Sequence, residues 1–147
     1  MGSKTDAFEV AILAHIFHNT AIANIGDAAG LPVAATEGNL YVALFTTTPT
    51  ESTAGTEATF TGYARQPVPR NSGGTGWKIT GSTINNDAVI SFGPCTGGSE
   101  TILGLGIMTA VTGGDLLYWA AVDNSRDVVS GVTLEFAADT AIIVTED

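Results

Sequence analysis

Only one stretch of this chain carries a helical period, and it comes first. Phe8, Ile12 and Ile16 recur four residues apart, flanked by Leu13 and Phe17 and widened by Val10 and Ala14. That spacing predicts one helix, apolar over much of its circumference, that docks on a core or on a neighbouring subunit. Asp6 followed by Glu9 has the form of an N-cap with its reciprocal capping glutamate. No second helical pattern follows, so alternating β-α-β units are absent.

After an irregular, small-residue connection over 19–38, the texture becomes β. Residues 40–45 (Leu-Tyr-Val-Ala-Leu-Phe) are apolar on both faces, as in a central strand. Residues 46–61 are rich in Thr, Ser, Glu and Gly and read as an exposed loop or arm. Residues 62–70 can extend, but Pro67 and Pro69 each remove a ladder donor, which predicts an edge strand. Residues 71–74 form a turn, and 77–80 with 83–84 form a short strand pair or one bent strand. Ile90 and Phe92 alternate with polar neighbours, 103–110 is a strand, and Gly113-Gly114 turns the chain back into 116–122. Val132, Leu134 and Phe136 alternate again, and 141–145 closes the chain. About seven or eight strands with turn signals at about ten-residue intervals predict an antiparallel β-sandwich or jelly-roll-like domain with one N-terminal helix. The linear division is 1–38, helix and connection serving as anchor or oligomer contact, and 39–147, the β-sandwich.

Composition narrows the function classes. The chain has 147 residues, 44% hydrophobic and 14% charged, which excludes disorder for most of the chain. Five basic residues against fifteen acidic ones leave a formal net charge of −10, which disfavours nucleic acid and anionic membranes as partners. The longest apolar stretch, 10–17, falls far short of the about 20 residues of a membrane span. Asp6, Glu9, His15 and His18 interrupt what would be a secretory leader, so synthesis in a cytoplasm is expected.

Catalytic and metal patterns are weak. Cys95 is the only cysteine; a thiolate nucleophile would need His15 or His18 as base, and a small, partly buried thiol is the simpler reading. His15 and His18 share a helix face but lack a third ligand. Residues 123–127 (Asp-Asn-Ser-Arg-Asp) open like a calcium loop without its turn glycine, so a solvated hairpin loop is expected. Gly104-Leu105-Gly106 lacks the third glycine and the helix of a dinucleotide fingerprint. No convergent nucleophile, acid and base appear, and no cofactor or metal site is expected; the chain reads as a non-enzyme. Trp77, Tyr63, Trp119 and Tyr118 read as core aromatics, with stacking faces for a carbohydrate as the alternative. Arg65, Arg70 and Lys78 are either solvated charge or contacts to an acidic partner.

One set of motifs carries a resemblance. The block 40–47 (Leu-Tyr-Val-Ala-Leu-Phe-Thr-Thr), Pro49-Thr50, Gly55-Thr56-Glu57 and the Gly62-Tyr63-Ala64-Arg65-Gln66 segment resemble small tailed-phage virion proteins, labelled tail fibre, tail knob or head decoration proteins. The helix 8–17, the Gly-Gly-x-Leu-Leu-Tyr-Trp hairpin at 113–119 and the Gly-Val-Thr-Leu-Glu-Phe-Ala-Ala element at 131–138 fit the same pattern in the same order.

The resemblance implies a virion structural protein, made in the host bacterial cytoplasm. Within that class the expectation is a capsid decoration or cement protein, because no coiled coil or shaft repeat is present. Its partners would be the major capsid protein or other virion proteins, and a homo-oligomer, trimers first. The alternative is a tail fibre or tail-tip component contacting the host surface as a receptor- or carbohydrate-binding module. Candidate subunit or capsid contacts are Phe8, Ile12, Ile16, Phe17, Tyr63, Arg65 and Arg70.

Overall fold

The computed structural model describes residues 4–146. Helix α1 (Asp6–His18) precedes β1 (Asn39–Phe45), β2 (Gln66–Pro69), β3 (Trp77–Thr80), β4 (Thr83–Asn86), β5 (Ile90–Phe92), β6 (Glu100–Met108), β7 (Leu116–Val128), β8 (Leu134–Phe136) and β9 (Ile143–Thr145). The protein is mainly β, its registered strand pairs are antiparallel, and its helix is N-terminal.

The chain divides into two compact units that do not follow chain order. One holds residues 4–39, 68–89 and 137–146; the other holds 40–67 and 90–136. Each unit is thus built from separate stretches of chain, and segments distant in sequence share a unit with the helix.

In the first unit, Thr5 occupies the N-cap of α1 and makes no side-chain capping bond. Its carbonyl accepts from the Phe8 and Glu9 amides, so the Asp6–Glu9 capping box expected from sequence does not form and Asp6 is already helical. Asn19, left-handed at φ 50°, ends the helix. The buried stripe is Glu9, Leu13 and Phe17; Phe8 is exposed and Ile12 and Ile16 are half-buried. The expected stripe is therefore rotated by one residue. Apolar side chains lie almost all round this helix, so periodicity cannot choose the docking face; the Phe17 ring, edge-on to Trp77 at 4.9 Å, does.

Hairpin β3–β4 pairs with β9 through Ile84 and Val144. Fully buried Asn86 ties this sheet to the closing segment. Its Nδ2 donates to the carbonyls of Ala88 and Ala137, and its Oδ1 accepts from the Ile142 amide.

In the four-stranded sheet the order is β2-β1-β6-β7. Strand β1 is central and buried on both faces, as expected, with Val42, Ala43 and Leu44 fully covered. It pairs with β6 from Tyr41↔Met108 to Phe45↔Gly104, and proline-bearing β2 takes an edge. Gly104 and Gly106 leave that sheet bare of side chains along one row. A Cβ at Gly104 would lie 2.8 Å from Pro49 Cδ, and one at Gly106 would strike Leu116 and Phe45. The missing methyl groups let residues 48–49 and the Leu116 side chain lie directly on the strand.

Residues 46–61 are not a free arm. The Thr46 amide donates to Thr56 O and the Ala58 amide to Leu44 O. The buried residues Pro49, Ala58 and Phe60 anchor the segment. A polar composition concealed these three anchors.

Candidate functional site

The Tyr63-Ala64-Arg65 block closes a clasp around that folded segment. Arg65 meets the Glu57 carboxylate with two bonds, Nε to Oε1 and Nη2 to Oε2, both 2.8 Å. Its Nη1 donates to the carbonyls of Ala110 and Gly113, at 2.6 and 2.7 Å, in the β6–β7 turn. The Tyr63 hydroxyl donates to Glu57 Oε1 and accepts from the Leu44 amide of β1. The planar guanidinium fits this fork and two carbonyls at once, which a lysine cannot. The Arg65 contact holds the Glu57 carboxyl below the usual carboxylate range, and burial, reinforced by Glu57, pushes the Tyr63 phenol up. Glu100 pins the same segment by accepting from the Thr59 and Phe60 amides.

The β6–β7 turn held by Arg65 leads into β7, thirteen residues long and last in its sheet. Most of it is exposed, with Leu117 and Trp119 each 40% accessible. Its pairing with β6 jumps from Gly104↔Ala121 to Ile102↔Arg126, so residues 122–125 bulge opposite Leu103. The expected hairpin loop at 123–127 is thus part of a strand, and Asp127 accepts from the Thr101 hydroxyl.

The candidate contact residues separate into two groups. Phe17, Tyr63, Arg65 and Arg70 are engaged within the chain. Arg70 donates to Ile16 O and His15 O, both at 2.6 Å, placing a cation on the last turn of α1. Phe8, Ile12 and Ile16 keep surface on the helix flank. Lys78 pairs with Asp139 at 2.9 Å. Among the aromatics Trp77 is buried outright, Tyr63 stacks at 6.1 Å on Phe92, and Trp119 stands out into solvent. Core membership therefore describes Trp77 and Tyr63 and not Trp119.

Cys95 is buried, with its thiol facing the carbonyls of Gly97 and Gly98. His15 and His18 each contact a backbone carbonyl, of Thr20 and Trp77. Among the described residues no three metal-ligating side chains cluster, and no helix is long and apolar enough to cross a membrane. Sequence reasoning quoted Glu57 only within the Gly55-Thr56-Glu57 motif and missed its pairing with Arg65, although it stands eight residues before that arginine in a chain poor in cations. It also missed Asn86, which carries no sequence signal.

The model of the podophage GP4 fiber I protein gp80 family matches residues 3–144. The chain belongs to that family. It is a phage virion structural protein, in agreement with the motifs at 40–66. No curated protein matches it. Within the fibre I family, the Tyr63-Ala64-Arg65 block has a structural meaning in this chain: it is the clasp that shapes the 46–61 segment and the β6–β7 turn.

Proposed function

We propose that this protein is a subunit of a tail fibre, assembling with copies of itself, trimers first, and with other virion proteins. The observation that carries this reading is the fibre-family match across residues 3–144. It favours the fibre over the capsid decoration expected from sequence, because that expectation rested on the lack of a shaft repeat and a β domain can serve a fibre without one. Supporting geometry is the apolar flank of α1 at Phe8, Ile12 and Ile16, a surface of the kind assemblies cover. The role is architectural, without catalysis, cofactor, nucleic acid or membrane, and its site of action is the virion.

Immunogold electron microscopy of intact virions with an antibody to this chain tests the reading. Label confined to the tail supports it; label spread over the head restores decoration. Sedimentation of the purified chain tests the trimer.

A further inference from the structure

The exposed end of β7 is not flat. Beside it the turn 50–54 and the side chains of Leu116, Leu117 and Trp119 enclose an open concavity of about 420 Å³. The turn is closed by its own hydrogen bonds. Thr50 and Thr53 exchange backbone bonds, their hydroxyls meet at 2.9 Å, and the Thr50 Oγ1 also accepts from the Thr53 amide. Pro49, seated on Gly104, fixes the turn to the sheet. The lining combines hydroxyls and one carboxylate, Glu51, with an indole, that of Trp119, which is 40% exposed.

We propose that this concavity binds a saccharide, neutral or amine-bearing, through the face of Trp119 and the hydroxyl-rich turn 50–53. A pyranose ring has an apolar C–H face and a rim of hydroxyls, which matches an indole face flanked by fixed polar groups. Glu51 and the net charge of −10 select against acidic saccharides, since a second carboxylate in the concavity would meet like charge. The inference rests on the fibre reading for its biological setting, but its chemistry stands on the turn and the strand alone.

The chain has two tryptophans, Trp77 fully buried and Trp119 exposed, so acrylamide quenching reports on Trp119. The full chain is titrated with maltotriose, chitotriose and trigalacturonic acid up to about 10 mM, the range of weak single-site affinity. The expected result is that maltotriose or chitotriose lowers quenching toward the level of Trp119→Ala, which retains only buried Trp77, while trigalacturonic acid does not. Calorimetry should show binding to the wild type and to Glu51→Gln, and none to Trp119→Ala with an unchanged thermal transition. Absence of shielding and of heat with both neutral probes overturns the proposal, as does equal binding by Trp119→Ala. Shielding by trigalacturonic acid alone overturns the assigned ligand class. Tail label on virions together with a null titration removes this site and leaves the fibre reading intact; head label with a positive titration does the reverse.

Discussion

Arg65 holds Glu57 by two parallel 2.8 Å bonds while its remaining nitrogen grips the carbonyls of Ala110 and Gly113. One side chain thus joins the folded 46–61 segment to the β6–β7 turn. Arg65 is buried and Glu57 partly so. Removing the arginine leaves the Glu57 carboxylate with the Tyr63 hydroxyl but without its cation, and two carbonyls without this donor. Arg65→Ala should therefore destabilise the protein by about 3 kcal/mol, and Arg65→Lys should recover only part of it, because an ammonium cannot reproduce the fork. Urea unfolding of both variants measures this, and equal stability of wild type and Arg65→Ala would reject the clasp.

The clasp also sets an acid limb. The ordinary value for Glu57 is 4.5, and Arg65 holds it lower in the folded chain. The unfolded chain therefore takes up this proton first as pH falls. The stabilisation from Glu57 is complete above pH 4.5 and is lost as pH drops through its folded value. Glu57→Gln should be less stable at neutral pH and lose less between neutral pH and pH 3. Tyr63 acts at the other end. Its phenol is raised from 10.0, first by burial and then by Glu57, so its contribution is present below pH 10 and declines above it. Tyr63→Phe should flatten the alkaline limb in thermal scans across that range.

Asn86 offers a different test. It is fully buried and makes three hydrogen bonds to backbone groups of Ala88, Ala137 and Ile142. Asn86→Ala strands those groups in the interior and should cost about 3 kcal/mol. Hydrogen exchange should quicken first at Ile142, where the amide loses its acceptor, before it rises elsewhere.

Gly104 tests how the turn is seated. A methyl group there meets Pro49 at 2.8 Å and the Ala120 carbonyl at 3.2 Å. Gly104→Ala should destabilise by about 2 kcal/mol through overpacking and displace the 48–53 turn, read as chemical-shift changes concentrated at Thr50 and Thr53. Shifts confined to β6 would contradict the seating.

The helix separates its faces clearly. Leu13→Ala, in the covered stripe, should cost about 3 kcal/mol. Phe8→Ser, on the exposed flank, should change the stability of the isolated subunit by only about 0.5 kcal/mol. If Phe8 belongs to a subunit contact, the same variant weakens sedimentation as an oligomer while leaving subunit unfolding unchanged.

Much of this was legible in the residues themselves. Single-helix periodicity, the two-faced apolar run of β1, the proline edge at β2 and the Gly113-Gly114 turn depend on local stereochemistry and on alternation, and these act within a few residues. The phage virion class was readable in motifs spread over nearly the whole chain.

What the linear pattern did not contain was decided by contacts between distant segments. Which face of α1 is buried depends on Trp77, about sixty residues away, because a helix apolar nearly all round has no preferred side of its own. The polar stretch 46–61 is anchored by Pro49, Ala58 and Phe60 and tied by Arg65, and hydropathy averaged over that stretch hides three buried residues. Trp77 and Trp119 both stand on edge strands, but Phe17 of α1 packs on Trp77, which is fully buried, whereas Trp119 stays 40% exposed. Packing between distant segments is a property of the assembled fold, so composition and spacing could name these aromatics but only the fold could divide core from surface.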